Sequence, residues 1–174
     1  MLKPSLFVAT SAAMLTAGIA VPASAGPTDA TVTISGGTLS ITTPANAGNI
    51  GSRANTVAGG TISGSLGQVQ VNDARSAAAG TGWVVTVIST AFTPPSGPAI
   101  AASAVGYTAG TVVKVGTATY TANDPANMTG VASAVTATGI TGDNSATWNP
   151  TINVAVPGGM AANVYSATIT HSVA

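Results

Sequence analysis

General acid–base chemistry needs a histidine or paired carboxylates, and this chain is poor in both. It carries one histidine, His171, four aspartates (Asp29, Asp73, Asp124 and Asp143) and no glutamate. The aspartates lie far apart and none sits in a recognisable catalytic motif. Serine and threonine abound, yet no G-x-S-x-G nucleophile elbow occurs. Cysteine is absent, which removes disulfides, iron–sulfur clusters and thiolate zinc sites. Asn123-Asp124 and Asp143-Asn144-Ser145 offer oxygen ligands, but a calcium loop concentrates several acidic groups at set spacing. Turn chemistry accounts for these pairs, since Asn and Asp cap their own turns. The residue set therefore predicts a non-catalytic protein with no metal and no cofactor.

Binding has more to work with. Trp83 and Trp148 are the two tryptophans, and with Tyr107, Tyr120 and Tyr165 they make up most of the aromatic content. An exposed indole would stack on a sugar ring. A buried one fills a core, with its N–H hydrogen-bonded. Asp73 and Arg75, two apart, read as a local ion pair in a turn over residues 73–82, worth about 0–1 kcal/mol if exposed. Asn127-Met128-Thr129 matches a glycosylation acceptor and is read as a chance match.

The elements that would position these residues are strands. Charged residues make up 5% of the 174-residue chain, against about a quarter in ordinary domains. Gly, Ala, Thr, Val and Ser dominate, and long helical periodicity is missing. This pattern predicts an all-β fold, a β-sandwich of about nine to eleven short, mainly antiparallel strands. No basic patch exists for nucleic acid or for an anionic membrane.

Residues 1–25 read as a secretory signal peptide: Lys3, an apolar run over 6–21, and Ala23-Ser24-Ala25 as a cleavage site ahead of Gly26. The apolar run falls short of a membrane span, so the mature form, 26–174, is expected to be secreted without one. No lipidated cysteine and no hydrophobic C-terminal tail are seen, so surface attachment is expected to be non-covalent. Within 26–174, Val32 and Ile34, then Gly36-Gly37, then Leu39 and Ile41 predict a hairpin. Residues 61–72 form a strand with Val69 and Val71 on one face. Trp83, Val85 and Val87 share one face of the strongest central strand. Short strands follow over 100–107, 111–115, 117–121 and 131–140.

At the C-terminus Ile152, Val154 and Val156 alternate with Thr151, Asn153 and Ala155. A second run puts Tyr165, Ala167, Ile169, His171 and Val173 on one face. The two runs can pair as a hairpin across a loop of about seven residues. His171 is then expected on a buried face, with its charged form disfavoured.

Two blocks carry a family resemblance. V-Q-V-N-D-A-R with G-W-V-V-T-V-I-S-T-A-F-T, residues 69–93, and W-N-P-T-I-N-V-A-V-P with Y-S-A-T-I-T-H-S-V, from Trp148 onward, resemble the WxL-type cell-surface domains of Gram-positive bacteria. The actinobacterial branch is the most similar. The motif positions are Trp83-Val84-Val85, with Val85 for Leu, and His171-Ser172-Val173, with His171 for Trp and Val173 for Leu. The resemblance implies a WxL-like β-sandwich over 26–174 that binds peptidoglycan, or another cell-wall polymer, without covalent attachment. Trp83, Val85, Trp148, His171 and Val173 are the implied wall-binding or motif residues, and Asp73 and Arg75 the structural turn beside the first motif. The composition supports a second class of function, a structural subunit of a self-associating surface layer or fibre. Its sheet edges lack the lysines that ordinarily block edge pairing.

Overall fold

The computed structural model describes residues 29–174, without the side chains of residues 77–79. The expected signal peptide lies outside the described residues. The compact unit runs from Ile34 to Ala174. Residues 29–33 carry no strand. Among the described residues no helix is long and apolar enough to cross a membrane.

The fold is all-β. Its strands are β1 (Leu39–Thr42), β2 (Gly60–Ser65), β3 (Val69–Ser89), β4 (Val105–Thr108), β5 (Val113–Ala122), β6 (Ala132–Trp148), β7 (Thr151–Val156) and β8 (Ile169–Val173), with a 3-10 turn at Ala102–Ala104. They form two antiparallel sheets. The larger is ordered β1-β3-β6-β5, with β8 also paired to β3; the smaller is β2-β7-β4. β1 and β8 take successive stretches of β3, the first at residues 70–73 and the second at residues 85–89.

Period-2 alternation built these strands as expected. In β3, Val69 and Val71 are fully buried while Gln70 and Asn72 face water. In β7, Ile152 and Val154 are buried between half-exposed Thr151 and Asn153. Trp83, Val85 and Val87 share the inner face of β3, and Val84, Thr86 and Ile88 on its other face are half-buried. Val69, Val71, Trp83, Val85, Val87, Ile152 and Val154 join Val105, Tyr107, Val135, Ile140, Trp148 and Met128 in one core between the sheets. Burying each Val, Ile or Met contributes about 1.5–3 kcal/mol.

Four local expectations are corrected. The stretch 73–82 is not a turn. It is the irregular middle of β3, whose pairing with β6 shifts register between Asp73, Ala77, Thr81 and Trp83. Turn-type residues here make bulges, which keep the ladder running while the strand bends. Likewise the short strands expected over 111–115, 117–121 and 131–140 are parts of two long ones, β5 (Val113–Ala122) and β6 (Ala132–Trp148), with irregularities in β5 at Gly116 and its neighbours. The 30–43 hairpin does not form: only Leu39–Thr42 is a strand, and it pairs with β3. The C-terminal runs do not pair with each other. β7 lies between β2 and β4, whereas β8 pairs with β3 in the other sheet. Alternation fixes which face of a strand is apolar, not which strand lies beside it. Both runs turn apolar faces to the same core from opposite sides.

Candidate functional site

The polar side chains named from the sequence gather in two clusters, and each is built around a tryptophan. The first lies within the larger sheet. Asp73 is fully buried and accepts two hydrogen bonds from the Arg75 guanidinium, Nε to Oδ1 at 2.8 Å and Nη2 to Oδ2 at 2.9 Å. Its backbone neighbour helps: the Arg75 N–H donates to Oδ1 at 3.2 Å. Asn144, directly opposite on β6, donates through Nδ2 to Asp73 Oδ2 at 3.3 Å. Asn144 Oδ1 then accepts from Trp83 Nε1 and from Tyr120 Oη, both at 3.1 Å. The Trp83 and Tyr120 rings meet at 5.6 Å and 57°. Arg75 Nη2 also reaches the Gly82 carbonyl across the bulge, at 3.2 Å.

The electrostatics follow from these contacts. The hydrogen bond from Arg75 holds the Asp73 carboxyl below its ordinary value, outweighing the desolvation that would raise it. The same partner raises Arg75. Burial raises the Tyr120 hydroxyl, with the Asp73 charge adding to it. The bulge itself is pinned from β6. Ser76 sits in the left-handed region at φ 52°, and its N–H and Oγ–H both donate to Asp143 Oδ1, at 3.0 and 3.2 Å.

The second cluster spans the two sheets. Tyr107 on β4 is 1% exposed. Its hydroxyl accepts from Trp148 Nε1 on β6 at 2.8 Å and lies 3.2 Å from His171 Nε2 on β8. A phenol that accepts from the indole has its own O–H left to donate, and Nε2 of a neutral imidazole protonated on Nδ1 would accept it. The Tyr107 and His171 rings meet edge-on at 5.6 Å. Burial drives the His171 pKa down to about 4 and the Tyr107 hydroxyl upward. His171 shares its half-buried face with Tyr165, Ala167, Ile169 and Val173, the register expected from the sequence.

The candidate wall-binding or motif residues lie in or against the core. Trp83 is 2% exposed, Trp148 1% and Val85 0%, so neither indole face is open to a sugar. His171 and Val173 are half-buried against the core. His171 Nε2 is engaged by the phenol of Tyr107, itself 1% exposed, a contact that ties β8 to β4 across the core. Asp124 and Asp143 likewise serve the fold: Asp124 Oδ1 accepts from the Ala109 N–H at 2.7 Å. Among the described residues no group of three or more His, Cys, Asp or Glu side chains is placed to hold a metal ion.

Two surface features were not singled out from the sequence. One is a shallow depression of about 300 Å³ whose lining includes Thr61, Ser103, Thr108, Asp124 and Asn153. Its members come from β2, β4, β7 and the loop after β5, and only the fold brings them together. The other is β5, the last strand on its side of the larger sheet among the described residues. Val113 and Val115 on it are 64% and 67% exposed. They lie opposite the half-exposed Thr147 and Ser145, on the outer face of the sheet. A β-branched stretch with one charge, Lys114, ahead of a Gly signalled this strand in the sequence, but not that it would lack a neighbour.

Comparison with protein-family models, with curated proteins and with solved structures finds no match to this chain.

Proposed function

We propose that this chain is an exported, non-catalytic structural protein of the cell surface that joins other copies of itself through sheet edges. The observation that carries the reading is β5: ten residues long, at the edge of its sheet, with two exposed valines and Lys114 as its one charge. Natural edges are ordinarily blunted by several charges, proline or a covering segment. The irregularities between Val115 and Thr119, including Gly116 where φ is 87°, are the devices here besides Lys114. Burial of both tryptophans supports the same reading, because the aromatic surface is committed to the fold and not to a ligand. Light scattering and size exclusion of the exported chain, without any glycan, test it. Particles that grow with protein concentration are expected, and a monomer at every concentration contradicts it.

A second reading, non-covalent attachment to peptidoglycan or another wall polymer, is favoured by the depression beside β4 and β7. Its hydroxyl and amide groups suit sugar hydroxyls, and Asn153 is already oriented by Ser63 Oγ at 2.7 Å and Thr108 Oγ1 at 3.2 Å. After export the cations are Arg53, Arg75 and Lys114 against four aspartates, so ionic contacts contribute little. Sedimentation with purified cell wall is expected to change little between low and high salt, since screening acts on exposed charges. Release at moderate salt contradicts it. Export itself predicts an intact mass beginning at Gly26; an exported form that retains Met1 contradicts it.

A further inference from the structure

We infer that residues 30–35 of one copy add as a strand to the β5 edge of the next, so that copies join head to tail. The inference rests on the self-associating reading and names the segment that occupies the edge. Ala30-Thr31-Val32-Thr33-Ile34-Ser35 has strand alternation, with β-branched residues at 31 to 34, yet it forms no strand in the structure. Val32 and Ile34 are 90% and 83% exposed. A segment with the pattern of a half-buried strand and no sheet to lie on is a strand lacking its partner.

The β5 edge supplies the complementary lack. Val113 and Val115 are two apart on the outer face of the larger sheet, as Val32 and Ile34 are two apart on the arm. An added strand lies about 4.8 Å from its neighbour, with side chains of like parity on the same face. Docking the arm would cover the two valines of β5 with the valine and isoleucine of the arm, and its backbone would satisfy the open side of the ladder. Six residues span about 20 Å, enough to run along the regular stretch before the bulge at Gly116. No like charges oppose the match: residues 30–35 are uncharged, and Lys114, between the two valines, would face Thr33 of the arm. Arm and edge are different surfaces of one chain, so the contact is heterologous and propagates instead of closing as a two-fold dimer.

Paired variants of the exported chain test this. Val32→Lys with Ile34→Lys disables the arm; Val113→Lys with Val115→Lys disables the edge. All four positions are exposed, so both variants should keep the native circular dichroism and melting temperature. Each alone is expected to associate at least about tenfold more weakly than the parent, since edge lysines oppose strand addition. Mixed in equal amounts, they are expected to form one-to-one dimers, the intact arm of one on the intact edge of the other, and no larger species. If the parent assembles and the arm variant assembles equally well, the arm is not the occupant, while the self-associating reading stands. A mixture that remains monomeric also overturns the inference. A parent chain that is monomeric at all concentrations overturns both.

Discussion

His171 shows how one side chain sets the pH response of a chain with so few titrating groups. Its pKa is lowered by burial to about 4, whereas the unfolded chain titrates near ~6.5. Between these values the unfolded state binds more protons, so stability rises with pH. The contribution is complete above about pH 7 and is lost as pH falls through the unfolded value towards the folded one. Between pH 7.5 and 5.5 the loss should be on the order of 1 kcal/mol, trimmed because the ring is half-buried and partly screened. Urea midpoints at the two pH values would show the drop. His171→Phe should flatten it, at a cost of about 1 kcal/mol at pH 7.5, where the Tyr107 hydroxyl loses its imidazole partner. Equal wild-type midpoints would place the imidazole in water. Asp73 acts in a lower window: its carboxyl is depressed, so its contribution is full above about pH 4 and is lost as pH falls through the folded value. Asn144 is the residue on which the first cluster turns. Asn144→Ala removes the acceptor of Trp83 and Tyr120 and a donor to Asp73, and should cost about 3 kcal/mol in urea unfolding. A loss under about 1 kcal/mol would mean that water replaces the amide without penalty.

At the scale of elements, the last strand separates what the sequence could say from what it could not. Its inner face was legible because Ile169, His171 and Val173 alternate, and a one-residue slip would reverse every side chain. Its partner was not. Nearby runs suggest a hairpin, but Thr90 and Thr93 hold the approach to β8, through Thr90 N to Thr168 O at 3.0 Å and paired bonds with Ser166. That places β8 on β3, and pairing energies between distant strands leave no trace in local pattern. The same holds for 73–82, where Asp, Ser and Gly look like a turn but make bulges, because Asp143 and Asn144 on β6 satisfy their polar groups from outside the segment. Thr86 and Ser172 are direct partners in the β3–β8 register. A Thr86→Cys, Ser172→Cys chain should therefore oxidise to an intramolecular disulfide in the folded state, in a background free of other thiols. Mass spectrometry would detect it, and a persistently reduced pair would contradict this pairing.

For the whole molecule, composition told more than any motif. Few charges, many β-branched and small residues and frequent glycines pointed to a sandwich, and two antiparallel sheets around one core are what forms. From the sequence the two tryptophans could be stacking platforms or core residues, and the structure buries both. The structure spends both indoles on hydrogen bonds that tie strands together. What remains for function is the surface, and there β5 is a ten-residue edge strand that exposes two valines. The most direct measurement is amide hydrogen exchange of the chain from Gly26 onward, resolved to peptides, in dilute and concentrated solution. If β5 is the joining edge, amides over residues 113–122 exchange more slowly on concentration, while those of β7, already paired on both sides, do not change. Equal exchange of β5 at both concentrations, or new protection confined elsewhere, would contradict assembly through this edge.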